Sequence, residues 1–443
     1  MSNLTSRLVL NLYGLAGYGF QPFSGVLLRA RARRGKEDRT RLRERYGEAS
    51  AKPNGRRVIW VHAASLGETN AVLPLVRRIV DMNFEVVFTT ATVTAARKAE
   101  IELPKGAVHQ FAPLDLKPYV SRFLKHWRPS LAVFVESELW PAMMTELASR
   151  NVPQIIVNGR MSERSFKRWR RFQTITRALF DNLAMCVAQS KADADRYSEL
   201  GAHSVVHAGN MKFDCEPPGV DLTHLAKLQS VIGRRPVWLA ASTHEREEVI
   251  VASAHKTLKK TFPDLLTIVV PRHPDRGDEI AGSLGELGLN AVQRSHNSLP
   301  EARTDIYIGD TIGELGLFYR IAPCSLVGGS LVPHGGQNPI EPARLGSAIV
   351  FGPNVANFQA IFRALAEHGG GYCVRNSQEL VERVRDILSN EDQKRAMTQG
   401  AERVLNEFGG AMERTHQVLL PYLNPLIVAG TLADVDAFRG RSQ

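Results

Sequence analysis

Residues 324–346 read CSLVGGSLVPHGGQNPIEPARLG. A short apolar strand, Cys324 to Val327, runs into glycines at 328, 329, 335 and 336, then into Asn338, Pro339 and Glu341. Glycine lets backbone take positive φ and come close to a ligand. Asn338 is a suitable N-cap and Pro339 a suitable first helical residue. A helix starting there would aim unpaired N–H groups and the positive end of its dipole at a phosphate. Glu341, in the first turn, would accept bonds from sugar hydroxyls. The plain alternative is a strand-to-helix turn with glycines for tightness. The pattern is not the dinucleotide fingerprint, because its glycines fall in two pairs with no G-x-G-x-x-G.

Outward from this stretch the chain alternates apolar strands with helical runs. Strands are expected at Val237 to Ala241, Leu266 to Val270, Ile306 to Ile308, Cys324 to Val327 and Ala348 to Phe351. Helices are expected at Ser377 to Leu388 and Glu391 to Glu407. The first half has the same rhythm, with strands at Arg57 to His62, Glu85 to Thr89, His109 to Ala112, Leu131 to Val135, Gln154 to Val157, Met185 to Ala188 and Ser204 to Ala208. After His62, Val72, Leu75, Val76 and Ile79 repeat at helical spacing, and Pro74 predicts a kink or a late helix start. Such alternation is the signature of α/β domains with parallel sheets. CEPPGVD (215–221) reads as a linker. The division expected is an N-terminal segment 1–47, a Rossmann-like domain 48–214, a second one 215–423, and a tail 424–443.

Composition narrows the class. Four cysteines, 186, 215, 324 and 373, are far apart and form no C-x-x-C, so neither a metal site nor a disulfide frame is expected and a reducing compartment is. Net charge is +11, and residues 1–47 carry ten Lys/Arg against three Asp/Glu, +7 of that excess. With no nucleic-acid-binding motif, the cluster reads as juxtamembrane. Leu8 to Leu28 has no charged residue, with Arg7 before it and Arg29, Arg31, Arg33, Arg34 and Lys36 after it. It reads as an uncleaved anchor or interfacial segment with its arginines on the cytoplasmic side; the alternative is an ordinary packed helix. RTRLRERY (39–46) reads as a solvated basic helix or, equally, as one that touches anionic lipid.

Ligands of open parallel sheets bind beyond the carboxyl ends of the strands. The unusual polar residues fall there: Ser65, Glu68, Glu136, Asn158, Arg160 and Lys212 in the first half. In the second half they are Ser242 to His244, Pro271 to His273, Asp310 to Glu314 and Gly328 to Glu341. Two layers with facing carboxyl edges would enclose a cleft. Each residue also has a plain reading: Glu68 complements a helix dipole, Glu136 partners an arginine, Lys212 is a surface lysine. His62 reads as a packed strand-end histidine. The run GRMSERSFKRWRR (159–171) is either a solvated helix face or a contact for the phosphates of an acidic lipid.

Together HAASLGE (62–68), ESELWP (136–141), NGRMSERS (158–165), GNMKFD (209–214), ASTHEREE (241–248), PRHPDR (271–276), GDTIGEL (309–315) and GGSLVPHGGQNPIEPARLG (328–346) resemble the 3-deoxy-D-manno-octulosonic acid (Kdo) transferase family. The motifs come in the family's order and cover roughly residues 8–420. The resemblance implies a GT-B fold of two Rossmann-like parallel-sheet domains facing across a cleft, with a membrane-associated N-terminal segment. It implies inverting transfer of Kdo from CMP-Kdo to lipid IVA, in lipopolysaccharide inner-core synthesis on the cytoplasmic face of the inner membrane. Neither metal nor other cofactor is implied, and no nucleic-acid partner. Glu68 matches the family's general base, and a helix N-terminus there would favour its ionised form. Glu136 and Lys212 match transition-state stabilisers. Pro271 and Arg272, Ile312, Gly313 and Glu314, and Asn338, Pro339, Ile340 and Glu341 match CMP-contacting segments. Gln337 departs from the pattern, standing where some relatives have histidine. The competing readings are a GT-B enzyme with another nucleotide sugar and a non-catalytic lipid-binding membrane protein on the same fold.

Overall fold

The computed structural model describes residues 2–439, and the side chains of 13–15 and 17–429. Arg7, the first residues of the 8–28 stretch and the end of the 424–443 tail therefore lie outside the described side chains. The chain divides into two compact units, one of residues 1–215 with 409–443, the other of residues 216–408.

The first unit holds a seven-stranded sheet: β1 (Val58–His62), β2 (Glu85–Thr90), β3 (Ala107–Phe111), β4 (Leu131–Val135), β5 (Gln154–Gly159), β6 (Leu183–Ala188) and β7 (Val205–His207), in the order β3-β2-β1-β4-β5-β6-β7. Every pairing is parallel, with Ile59 of β1 beside Val86 on one side and Leu131 on the other. All five residues of β1 and of β4 are buried. Both faces of the sheet are covered: Trp60, Phe123 and Phe134 anchor one core, and Ile59, Val76, Phe88 and Leu131 the other. Burial on both faces explains why these strands read as continuous apolar runs.

The second unit repeats the plan with β8 (Val237–Thr243), β9 (Leu266–Pro271), β10 (Ala291–Gln293), β11 (Ile306–Ile308), β12 (Cys324–Val327), β13 (Ala348–Phe351) and β14 (Gly371–Cys373), ordered β10-β11-β9-β8-β12-β13-β14 and again parallel. The sequence reading missed β10 and β14. Both are three-residue edge strands without an apolar run. The strand order reverses between β1 and β4 in the first sheet and between β8 and β12 in the second, where β11 is also inserted between β9 and β10. Such switch points open the crevice in which doubly wound folds bind ligands.

Several expectations are corrected. Helix Leu66–Asp81 starts well before Pro74 and carries it inside. Ser65 fixes that start as N-cap, accepting from the Glu68 N–H. RTRLRERY is not a solvated helix but ends in a 3-10 turn, Leu42–Tyr46. Arg45 is buried there, ion-paired with buried Glu37 at 2.8 Å, and donates to the carbonyls of Ala112 (3.0 Å) and Ala91 (2.6 Å). It thus satisfies carbonyls just beyond β2 and β3 that the loops leave unpaired. Residues 409–423, read with the second domain, pack on the first unit in helix Ala411–Arg439. Asp214 holds the start of this helix by accepting from the Gly410 and Met412 N–H groups, both at 2.6 Å.

Helix Ser2–Arg33 packs against the first unit along a narrow edge. Gly17 and Leu28 are buried, and Ser24 Oγ lies 2.8 Å from Tyr119 Oη. Leu15, Tyr18, Phe20, Phe23, Val26 and Leu27 on the same helix are exposed. Among the described residues no helix is long and apolar enough to cross a membrane.

Candidate active site

At the switch point of the first sheet, β1 leads into the helix carrying Glu68 and β4 ends at Glu136. Glu68 closes a variant of the capping box: its carboxylate accepts from Ser65 Oγ–H and, in place of the N-cap N–H, from Ala64 N–H, each at 2.7 Å, while Ser65 Oγ caps the helix. These bonds favour the carboxylate, as expected from sequence, but they do not prevail. Burial first, then the like charges of Glu136 and Glu138, push the Glu68 pKa up to about 7. A carboxylate so placed is poised between acid and base at neutral pH.

Glu136 holds φ at +60°, unusual for a side chain with a Cβ. Its N–H bonds to Val157 O at 3.0 Å, and its carbonyl accepts from Tyr197 Oη at 3.1 Å, which fixes the turn. The carboxylate is buried and paired with Lys212. Lys212 sits on a 3-10 turn, Met211–Asp214, that Asn158 at the end of β5 steadies by accepting from Met211 N–H at 2.9 Å. The fold therefore brings Glu136 and Lys212 into contact, with Glu68 close enough to feel Glu136.

Glu138 and His62 belong to this edge as well. His62 is packed, as expected, with Nδ1 2.9 Å from Thr89 Oγ1. Its Nε2 lies 3.4 Å from a Glu138 oxygen that also accepts from the Trp140 indole at 2.5 Å. ESELWP carries both acidic residues, and its alternation was the only sequence signal that Glu138 would turn toward Glu68.

In the second unit, Pro271 closes β9 and is buried, while Arg272 and His273 are exposed at its carboxyl end. Ile312 projects into solvent and Gly313 takes φ +88°. The side chain of Glu314 is already committed: Arg294 grips it with two bonds, 3.0 and 2.7 Å, and holds its carboxyl below the usual range. The helix after the glycine-rich stretch covers only Ile340–Arg344, one residue later than expected, with Pro339 at its cap. Asn338, one residue before the cap, accepts from Ile340 N–H at 3.1 Å and donates to Glu341 at 3.1 Å. Ile340 is buried. Five residues make too short a helix for a substantial dipole, so any anion held here meets individual N–H groups rather than a helix macrodipole.

The first N–H groups of the loop are already engaged. Glu247, fully buried, takes those of Gly329 (2.6 Å), Ser330 (3.1 Å) and Leu331 (3.0 Å), and also that of His244 (2.9 Å). Each carboxylate oxygen accepts two. Gly328 is needed for close approach, since a Cβ there would lie 2.4 Å from Ser242 O. Among the described residues no group of three or more His, Cys, Asp or Glu is arranged to hold a metal ion.

The family model for 3-deoxy-D-manno-octulosonic-acid transferase matches residues 40–215. A 3-deoxy-D-manno-octulosonic acid transferase of Haemophilus influenzae is 35% identical over 394 residues, 87% of this chain and 92% of its own. One from Bordetella pertussis is 30% identical over 424 residues, 93% and 99% of the two chains. The chain belongs to the Kdo transferase family. It is a glycosyltransferase, as the motif resemblance implied. Among solved structures, a glycosyltransferase from Rickettsia africae covers 83% of this Kdo transferase, and the match covers 99% of that chain, with a TM-score of 0.58 at 12% identity. A UDP-GlcNAc 2-epimerase from Neisseria meningitidis covers 83%, and 100% of its own chain, with a TM-score of 0.53 at 10% identity. At these identities both speak for a shared GT-B-like fold only.

Proposed function

We propose that the protein moves Kdo from CMP-Kdo to lipid IVA with inversion, in lipopolysaccharide inner-core synthesis. The observation that carries the reading is Glu68: a carboxylate raised to about 7, at a sheet switch point, beside a glutamate ion-paired with a lysine. Ionised, Glu68 takes the proton of an acceptor hydroxyl as its oxygen bonds to the anomeric carbon. The bond from that carbon to the phosphate oxygen breaks, and CMP leaves with the electron pair. Lys212 offsets charge on the departing phosphate, and Glu136 supports positive charge developing on the sugar. Family membership supports CMP as the leaving group. Its contacts are assigned to Pro271, Arg272, Ile312, Gly313, Glu314, Asn338, Pro339, Ile340 and Glu341. Because the Glu314 side chain is held by Arg294, backbone at 312–314 is the part left to meet the nucleotide.

The place of action proposed is the cytoplasmic face of the inner membrane. The exposed apolar residues of helix Ser2–Arg33 support a helix lying in the interface rather than spanning it. The exposed arginines of helix Glu163–Arg171 supply charge for anionic lipid. Flotation with anionic vesicles tests this: Phe20→Ser with Phe23→Ser is expected to reduce binding, and unchanged flotation would refute it.

The reaction is tested by incubating the protein with lipid IVA and CMP-Kdo and weighing the lipid by mass spectrometry. One or more Kdo masses are expected. No gain with folded protein and intact donor would leave the family and remove this acceptor.

A further inference from the structure

The switch point of the second sheet carries a feature the donor assignment does not use. The loop after β8 and the glycine-rich loop after β12 meet there, and two imidazoles stack across them. The rings of His244 and His334 lie 4.1 Å apart at 13°. The Gln337 amide sits 3.0 Å from His244 Nε2, so that nitrogen accepts and the ring carries its proton on Nδ1, an assignment made from the bonding network. His273 stands edge-on to His244 at 6.1 Å. Arg272, next to it, is exposed, whereas Arg276 is tied to Glu248 and Glu279 at 2.9 and 3.0 Å. The titratable and charged side chains that bear on the His244 ring are His334, His273, Arg272 and Arg276, none of them acidic. Glu247 meets only its backbone N–H.

An anionic donor needs hydrogen-bond donors here, and Glu247 has already taken the N–H groups of Gly329, Ser330 and Leu331. What the loop does present is His334, exposed, on the stacked partner His244. We propose that the His244–His334 pair clamps an anionic oxygen of the donor, either the nucleotide phosphate or the carboxylate of the acid sugar. The inference rests on the donor reading above and names the group within that site. In the empty pair, burial and the neighbouring cations push His244 down to about 4, so it is neutral at pH 7. An arriving anion reverses the local charge and favours proton uptake by the pair; if His244 takes the proton on Nε2, the Gln337 amide turns its oxygen to that nitrogen. Donor binding then draws a proton from solvent, and affinity weakens as pH rises.

The test is calorimetry on the full chain with cytidine, CMP and CMP-Kdo, without acceptor, at pH 6 and 8 and in two buffers of different ionisation enthalpy. His334→Ala is the first variant, because this side chain is exposed and makes no hydrogen bond among the described residues. His244→Ala is the second, with a thermal melt to establish folding. Wild type is expected to take up protons and to bind CMP-Kdo more tightly at pH 6. Each variant is expected to lose about tenfold in CMP-Kdo affinity, the worth of one charge-assisted hydrogen bond, and most of the proton uptake, with cytidine unchanged. An equal loss for CMP assigns the phosphate; a loss confined to CMP-Kdo assigns the carboxylate. CMP-Kdo affinities within twofold of wild type in both variants overturn the clamp while leaving the donor site standing. Absence of CMP and CMP-Kdo binding to wild type overturns the donor site itself.

Discussion

The carboxyl edges of the two sheets share a plan and differ in charge. Each lies at the reversal of a seven-stranded parallel sheet. The edge in the first unit gathers Glu68, Glu138 and the Glu136–Lys212 pair, and burial with the charges of Glu136 and Glu138 raises Glu68. The edge in the second unit gathers Arg272, His244, His273 and His334, and its carboxylate, Glu247, is spent on backbone. One scaffold thus carries a carboxylate-rich edge and an edge rich in histidine and arginine. The difference resides in a few side chains on the loops, which is why fold alone does not define chemistry.

The contrast can be broken most completely at Glu68. Glu68→Gln should lower transfer by about 10²- to 10⁴-fold, the range for a lost general base, with CMP affinity unchanged. Near-normal turnover would remove Glu68 as the base. The same variant reports on stability. Glu68 is raised from 4.5 to about 7, so as pH climbs through that window the unfolded chain ionises first and stability is lost. Glutamine keeps the capping box and removes this loss, worth up to about 3 kcal/mol at pH 8 by urea melts. A melt no more stable than wild type at that pH would contradict the burial argument.

Lys212→Met should cost about 10²- to 10³-fold in transfer. It also strands Glu136, whose side chain is 9% exposed against 22% for the lysine. That partial exposure discounts the loss to about 1–3 kcal/mol. Adding Glu136→Gln should restore the urea midpoint but not the activity; recovery of both would make the pair structural. In the second unit, Glu247→Gln places an amide NH₂ against two N–H donors. It should raise the KM for CMP-Kdo about tenfold with kcat little changed, an outcome that a fall in kcat alone would exclude. The smallest effect is expected at Glu138. Wild-type kcat/KM should rise with pH through about 7 as Glu68 ionises. Glu138→Gln removes one like charge and should move that rise to lower pH; an unmoved profile would take Glu138 out of the account.

Much of this was legible in the chain. Buried parallel strands are continuous apolar runs, so twelve of the fourteen strands could be placed, and β10 and β14 escaped because short edges carry no such run. Glu68, Glu136, Lys212 and Arg272 were legible as polar residues at strand ends, and the ordered motifs gave the family. These are local patterns, set by period and spacing. Only the tertiary structure decided which groups are already engaged. Glu247 reaches backbone 82 to 84 residues away and closes the loop that looked like a phosphate cradle. Asp214 caps a helix nearly 200 residues on, and Arg45 leaves the solvent for carbonyls beyond two strands. A charged side chain reads alike in sequence whether it meets water, ligand or backbone. Its partner is fixed by which distant elements packing brings within hydrogen-bond reach, and burial then makes that partner obligatory.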